Sequence, residues 1–250
     1  MQPGARLAHE RSMNTCQISL AGADLRPLPS GGLFWPDERL LCVSDLHLGK
    51  SDRIARRAGV MLPPYETRDA LARLEADLGA TAARVVVCLG DSFDDIAAAQ
   101  SLDEDERLWL ARLQAGREWI WIEGNHDPGP VDMGGTHRRS LARGPLWFRH
   151  IAQVGATAEI SGHYHPKAQV LTRGRQISRP CFLFDQDRVI MPAYGTYTGG
   201  LRWTAPELRR LVGPGARAAL VGDPVHVLPV PETAQPRPAP PVRRRPGRLG

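Results

Sequence analysis

Five apolar runs in this 250-residue chain are each followed by an Asp, an Asn or a His, and this regularity constrains the fold more than any other feature. The runs have the short, β-branched or aromatic character of buried strands. The residues that follow them are Asp45 and His47 after LLCVS, Asp91 after VVVCL, Asn125 and His126 after IWIE, His150 after LWFR, and His163 and His165 after AEIS. In open α/β sheets, ligands bind beyond the strand ends. We therefore predict an α/β fold in which these side chains converge on one site.

The converging side chains are of the types that bind divalent metal ions. Carboxylate oxygens, carboxamide oxygens and imidazole nitrogens are ligands for Mn²⁺, Fe²⁺ and Zn²⁺. In an extended segment, residues two apart face the same way, so Asp45 with His47, and His163 with His165, can each reach one site. Two ions about 3.5–4 Å apart can bind one phosphate. The pattern therefore indicates a metal site suited to phosphate chemistry.

Hydrophobic periodicity predicts helices and strands that alternate early in the chain and mostly strands later. Residues 66–78 and 103–113 have helical spacing, with Thr67 as the candidate N-cap of the first helix, and residues 206–211 predict a short helix. The predicted strands are residues 32–35 and 39–43, which form a hairpin, and residues 84–89, 118–122, 146–150, 156–160, 169–172, 181–184, 189–191, 216–221 and 226–230. This order predicts mixed sheets with helices on the outside.

The basic charge of the chain lies mainly at its end. The net charge is +5, and the last twenty residues contain five Arg and one Glu, which leaves about +1 for the remainder. We expect residues 1–15 to be a flexible N-terminus, residues 16–230 to be one folded domain, and residues 231–250 to be a disordered Pro- and Arg-rich tail. That tail either is solvated without a function or contacts a phosphate polymer.

The cysteines and the hydropathy indicate a cytoplasmic protein. The four cysteines lie far apart and form no CxxC pair, so we expect free thiols in a reducing compartment. The chain has no run of about 18 apolar residues. Its polar start lacks the apolar core of a secretory signal. We expect neither a membrane-spanning helix nor a leader.

The ordered series D-x-H, G-D-x-x-D, G-N-H-D, H and G-H-x-H, from Asp45 to His165, resembles the calcineurin-like metallophosphoesterase superfamily. The segments LHLGKSDRIARRAGVMLPPYET, LGDSFDD, WIWIEGNHDP, GHYHP, RPCF and MPAYGTYTGG resemble the bacterial DNA-ligase-associated metallophosphoesterases, which are DNA-damage-response endonucleases or manganese phosphodiesterases. The resemblance implies a four-layer α/β/β/α sandwich with two mixed β-sheets. It departs at Asp94, where the narrower family often carries His and the superfamily's phosphatases carry Asp.

The resemblance implies a role for each residue of the series. Asp45, His47 and His165 would bind a first metal ion, Asp91 would bridge, and Asn125, His150 and His163 would bind a second. His126 would protonate the leaving oxygen or stabilise the transition state, and Asp94 would orient His126. Asp127 would support the site from behind the ligands. His137 is an alternative to His150, although no strand precedes it.

The resemblance also implies cofactors and partners. The cofactors would be two divalent ions, Mn²⁺ in the first place and Fe²⁺ or Zn²⁺ otherwise. The substrate would be a phosphodiester, with DNA as the candidate. The protein would be linked to an ATP-dependent DNA ligase, a helicase and an exonuclease, and would form a homodimer. Lys50, Arg53 and Arg57 follow the first motif and are candidate phosphate contacts, unless they form a solvated basic face.

Three functions are open on the sequence. The first is a phosphodiesterase, in its most specific form an endonuclease of ligase-associated DNA repair. The second is a phosphomonoesterase or a hydrolase of nucleotide-type small molecules, because a charge of about +1 outside the tail attracts duplex DNA weakly. The third is a non-catalytic binding subunit of a DNA repair complex, which the loss of His126 or of a metal ligand would indicate. The sequence retains all of these residues.

Overall fold

Two mixed β-sheets form the centre of the protein. The computed structural model describes residues 16–59, 65–127, 129, 132–172 and 174–231. The first sheet has seven strands in chain order: β1 (Ile18–Leu20), β2 (Ala23–Pro27), β3 (Leu33–Trp35), β4 (Leu40–Val43), β5 (Val85–Leu89), β6 (Glu118–Ile122) and β7 (Thr136–Arg138). Each of the strands β1 to β4 is antiparallel to its neighbour in this group, and the strands β4 to β7 are parallel. The parallel half places the carboxyl ends of β4, β5 and β6 at one edge.

The second sheet contains the later strands. They are β8 (Ser140–Arg143), β9 (Leu146–Arg149), β10 (Glu159–Ser161), β11 (Lys167–Thr172), β12 (Arg175–Phe184), β13 (Arg188–Ile190), β14 (Arg217–Leu220) and β15 (His226–Pro229). Their order is β15-β14-β12-β13-β10-β9-β8, and β11 forms a hairpin with β12. Strands β9, β10 and β13 are parallel, so the carboxyl ends of β9 and β10 also share an edge.

Five helices accompany the two sheets in the described part of the chain. They are α1 (Lys50–Ala58), α2 (Glu66–Thr81), α3 (Ile96–Ser101), α4 (Glu104–Gln114) and α5 (Pro206–Arg209). Helix α4 begins with a capping box, in which the Asp103 side chain accepts from the Glu106 N–H and the Glu106 side chain accepts from the Asp103 N–H. Within the described residues, no helix is long and apolar enough to cross a membrane.

Three apolar clusters define four layers. Leu20, Val87, Phe148 and Phe182 belong to the cluster between the two sheets. A second cluster joins the outer face of the first sheet to side chains of α2 and α4, such as Leu74. A third joins the outer face of the second sheet to α5 and the chain around it. The predicted α/β/β/α sandwich with two mixed sheets is therefore confirmed.

The prediction of Thr67 as a helix cap is wrong. Helix α2 begins at Glu66 after Tyr65, which makes no side-chain cap hydrogen bond. Thr67 is buried, and its hydroxyl accepts a hydrogen bond from the Gly49 N–H at 3.0 Å. A Thr in the first turn can bond a neighbouring loop as well as its own helix, and here Thr67 joins α2 to the segment after β4.

The structure also adds elements that the sequence patterns did not predict, namely β1, β2, β7, β8, α1 and α3. By contrast, the prediction of free thiols is confirmed for all four cysteines. The predicted N-terminal segment 1–15 and nearly all of the predicted tail lie outside the described residues.

Candidate metal centre

The predicted ligands lie at the carboxyl ends of strands from both sheets. Asp45 and His47 follow β4, Asp91 follows β5, and Asn125 follows β6, all in the first sheet. From the second sheet, His150 follows β9, and His163 and His165 follow β10. Because parallel strands of each sheet end at one edge, and these two edges face each other, one short region receives residues from five strands.

The backbone at five of the predicted ligands is left-handed. The φ angles are 52° at Asp45, 47° at His47, 45° at Asp91, 70° at His163 and 45° at His165. Residues with side chains seldom adopt this region, and such conformations concentrate at functional sites. The clustering of these conformations at the strand ends is an observation, separate from residue type, that marks the site.

The first donor set consists of Asp45, His47 and His165. Each offers one donor atom, and these atoms lie within 4.8 Å of one another. The His165 Nε2 lies 3.1 Å from Asp45 Oδ1, and the His47 and His165 rings are 5.5 Å apart in an edge arrangement. These are the three residues that the family resemblance implies for the first metal ion.

The second donor set consists of Asp91, His150 and His163, with donor atoms again within 4.8 Å. The Nε2 of His150 lies 3.4 Å from Asp91 Oδ2, 3.2 Å from His163 Nδ1 and 2.9 Å from Asn125 Oδ1. The Nδ1 of His150 donates to the Leu89 carbonyl at 2.8 Å, which directs Nε2 to the other donors. The structure thus brings all four of the implied residues together.

The two donor sets adjoin each other, because the His150 Nδ1 lies 3.9 Å from Asp45 Oδ1. Asp45 also has an oxygen fixed by the backbone, since its Oδ2 accepts from the His163 N–H at 2.9 Å and from the Ser44 hydroxyl. Its Oδ1 is left facing the histidines of both sets.

The donor atoms fit divalent cations. Asp45 Oδ1, His47 Nε2 and His165 Nε2 are buried without a well-formed hydrogen bond, although His165 Nε2 approaches Asp45 Oδ1 to 3.1 Å. Such atoms are costly unless a ligand satisfies them. Burial opposes the protonation of His150, but its hydrogen bond with Asp91 and the charges of Asp45 and Asp91 raise its pKa to about 9. The site therefore favours positive charge beside two carboxylates, and its oxygen and imidazole donors suit transition metals.

Asp127, for which the resemblance implies a supporting role, holds the loops after β5 and β6 together. It is buried and accepts hydrogen bonds from the backbone N–H groups of Asp91 at 2.9 Å, Ser92 at 2.8 Å and Gly124 at 3.0 Å. Burial raises the pKa of Asp127 to about 6 against the effect of these donors. One carboxylate thus fixes the loop after β5 against the loop after β6.

His126 lies beside both donor sets and has a free nitrogen. Its Nδ1 donates to the backbone carbonyl of Asp94 at 2.9 Å, and its own N–H donates to Asp91 Oδ1 at 2.8 Å. Its Nε2 lies 4.0 Å from Asp91 Oδ2, and the side chain is 30% exposed. The ring is therefore oriented by the main chain, with Nε2 directed to the site and accessible to a substrate.

The Asp94 carboxylate contacts His47. Its Oδ1 lies 2.8 Å from His47 Nδ1 and 3.7 Å from Lys50 Nζ, and its Oδ2 accepts from Arg53 Nε. The sequence predicts that Asp94 orients His126. In the structure its backbone carbonyl makes that contact, whereas its side chain orients a residue of the first donor set.

The predicted phosphate contacts lie outside the two donor sets. Lys50 and Arg53 lie on α1 with their charges against Asp94. The side chain of Arg57 lies outside what the structure describes. His137, the alternative to His150, is on β7 with its ring 6.4 Å from that of Trp121, in a stacked orientation, and it belongs to neither donor set.

The segment from Met191 to Gly200 supports the site from the second sheet. The Tyr194 N–H donates to the Ser44 carbonyl at 2.7 Å, and the Gly195 N–H donates to the Asp45 carbonyl at 3.0 Å. A Cβ at Gly195 would collide with the Leu46 carbonyl. The structure therefore places this segment against the loop that carries Asp45. The Gly-rich composition of residues 191–200 is the sequence feature that could have indicated this close packing.

Comparisons with known proteins agree with this geometry. The family model for calcineurin-like phosphoesterases matches residues 38–211, more than half of the chain. The crystal structure of the Pseudomonas putida nuclease MPE is similar to this chain with a TM-score of 0.67 and 25% sequence identity, over 87% of this chain and 100% of that one. No curated protein matches the sequence significantly.

Proposed function

Because the chain belongs to the calcineurin-like phosphoesterase family and is a metal-dependent phosphoesterase hydrolase, we propose that it cleaves phosphodiester bonds with two divalent ions. The observation that carries the proposal is the pair of adjoining donor sets, Asp45–His47–His165 and Asp91–His150–His163. Two neighbouring cations can hold one phosphate between them, and they suit an in-line displacement at phosphorus.

The ions, when bound, would neutralise the phosphate and lower the pKa of water at the site. The two donor sets would hold them, with Asn125 beside the second. His126 would act on the leaving oxygen, since its Nε2 is the accessible imidazole nitrogen next to both sets. The Asp94 carbonyl fixes the ring, so Nε2 is held ready to donate a proton to that oxygen or to stabilise its charge. Asp94, through His47, would keep the first donor set in place.

We extend the proposal to nucleic acid as the substrate class and Mn²⁺ as the ion. The similarity to a nuclease supports nucleic acid as the substrate, and the mixed oxygen and imidazole donors are compatible with Mn²⁺. The link to an ATP-dependent DNA ligase and its repair partners is the most specific form of the proposal. It rests on the resemblance of the motifs.

The test compares an aryl phosphodiester with the matching phosphomonoester, with added Mn²⁺ and with chelator. We expect the diester to turn over with Mn²⁺, and the chelator to abolish turnover. Preference for the monoester would overturn the phosphodiesterase proposal in favour of a phosphatase. If the protein hydrolyses neither ester and no nucleic acid, the result would indicate a binding subunit.

A variant at His126 tests the mechanism within the same assay. His126→Ala should lower kcat for the diester about 10²- to 10⁴-fold, the contribution of a general acid, while the protein keeps its bound metal. His137→Ala is the matched control, since His137 lies on β7 outside both donor sets, and it should leave kcat unchanged. Full activity in His126→Ala would contradict the proposed role.

A further inference from the structure

A cleft of about 400 Å³ opens beside the second donor set, with Asn125 and His150 in its wall. Its size is in the range of small-ligand sites. The charged side chains that line it, among the described residues, are Glu123, Arg139 and Arg149. A group bound to the second metal ion would therefore have two guanidinium groups within the same cleft.

Arg139 is free to bind an anion. Its side chain is 93% exposed, and its contact with Glu123 joins Nε to Oε2 at 3.6 Å. An exposed ion pair of this length contributes little, so a phosphate could displace it at small cost. Guanidinium groups bind phosphate oxygens through two parallel hydrogen bonds.

Arg149 belongs to a buried cluster with surplus positive charge. Its Nε lies 3.3 Å from Glu159 Oε2, and Arg188 Nη1 lies 3.2 Å from Glu159 Oε1. Glu159 is fully buried, so one carboxylate is shared by two guanidinium groups. The cluster keeps a formal charge of +1 at the wall of the cleft, and a phosphate of the substrate would neutralise it.

A second cleft, between α1, α2 and the start of α4, does not suit an anionic strand. Its volume is about 480 Å³, and among the described residues its charged lining is Asp52, Glu66, Asp103 and Glu106 with Arg68 as the basic residue. Four acidic groups would repel phosphates.

We infer that the cleft at Arg139 and Arg149 binds the nucleotide adjoining the scissile bond of a polynucleotide strand, with the phosphate of that nucleotide at Arg139. This rests on the proposed function, and it defines the substrate class as an extended strand rather than an isolated diester. The strand would pass from the metal centre along Asn125 towards Arg139.

The test measures the binding of a fluorescein-labelled single-stranded oligonucleotide with phosphorothioate linkages by fluorescence anisotropy, in Mn²⁺. We expect Arg139→Ala to raise Kd about fivefold, Arg139→Glu to raise it further, and the slope of log Kd against log salt to fall by about one. The control is Arg26→Ala, an exposed arginine on β2 that does not line the cleft, and it should leave Kd and the salt slope unchanged.

Kinetics provide the second readout. The ratio of kcat/KM for an oligonucleotide to kcat/KM for an aryl diester should fall about fivefold in Arg139→Ala, because the aryl diester has no second phosphate. Equal effects of Arg139→Ala and Arg26→Ala, or an unchanged ratio with an unchanged Kd, would overturn the inference.

The two proposals fail in different ways. Turnover of the aryl diester without any binding of the oligonucleotide would leave the phosphodiesterase proposal intact and overturn the strand-binding cleft. Binding that depends on Arg139 without turnover of any diester would sustain the cleft and overturn the catalytic proposal.

Discussion

At the scale of single residues, the metal centre depends on a place where no side chain fits. Gly162 follows β10 immediately before His163, and a Cβ there would lie 2.6 Å from Asp45 Oδ2 and closer still to Ser44 Oγ. These are the atoms that fix the Asp45 carboxylate. The close approach of Gly162 is therefore what lets a ligand loop of the second sheet meet a ligand of the first.

The prediction at this scale concerns Gly162→Ala. The new methyl group would displace Asp45, so we expect the affinity for Mn²⁺ to fall about 10- to 100-fold and the free energy of unfolding to fall by about 1–3 kcal/mol. Calorimetric titration with Mn²⁺ and urea unfolding measure the two effects.

The matched control is Gly79→Ala on α2, where a Cβ would meet nothing within 4 Å. Alanine is the better helix former, so this variant should gain about 0.5–1 kcal/mol of stability and keep its metal affinity. Normal Mn²⁺ binding by Gly162→Ala would show that the close approach has no part in the metal site.

At the scale of elements, the sequence predicted the buried strands and their chemistry better than the polar ones. β5 and β6 are apolar throughout or nearly so, and their bounds were predicted within one residue. β7 has the sequence THR and lies exposed at the edge of its sheet, so it lacks the apolar signal on which strand prediction depends. The same holds for the first part of β12, from Arg175.

The placement of the candidate ligands was predictable for a related reason. Residues that directly follow a buried strand are placed by that strand, so the motif order locates Asp45, Asp91 and His163 without knowledge of the loops. The contact of Asp94 was not predictable, because it lies in a loop, where the direction of the side chain depends on packing between α1 and the segment before α3. The loop brings its carboxylate to His47.

Two adjacent acids before α3 have separable tasks, which gives the prediction at this scale. Asp94 contacts His47, whereas Asp95 is the N-cap of α3 and accepts from the Ala98 N–H at 2.7 Å. In Asp94→Asn, His47 loses a charged partner and Arg53 loses its counter-charge. We expect the Mn²⁺ affinity to fall about 10- to 100-fold, measured by calorimetry.

Asp95→Ala is the control for this substitution. It should lower the free energy of unfolding by about 1 kcal/mol, the usual value of an N-cap, and leave the Mn²⁺ affinity as in the unaltered protein. If both variants lose metal affinity to the same extent, the loop acts as one unit and Asp94 has no specific action on His47.

At the scale of the whole molecule, each donor set crosses from one sheet to the other. The first set takes Asp45 and His47 from the first sheet and His165 from the second, and the second set takes Asp91 from the first sheet and two histidines from the second. Bound ions would therefore connect the two halves of the sandwich. Metal binding should stabilise the entire fold, since a ligand that binds only the native state adds to its unfolding free energy.

The last prediction is a metal-dependent Tm. At a Mn²⁺ concentration of about one hundred times Kd, metal binding adds about 2.7 kcal/mol to the free energy of unfolding. For a chain of this size, that raises Tm by about 5–10 °C over the Tm measured with chelator. Scanning calorimetry with Mn²⁺ and with chelator measures it. His165→Ala removes the ligand that the second sheet supplies to the first donor set, so this variant should lose a large part of the Mn²⁺-induced rise in Tm. His137→Ala should show the same rise in Tm as the unaltered protein. A Tm that does not respond to Mn²⁺ in the unaltered protein would mean that the ions do not join the sheets, because any cation held by donors from both would have to leave before the sandwich could open.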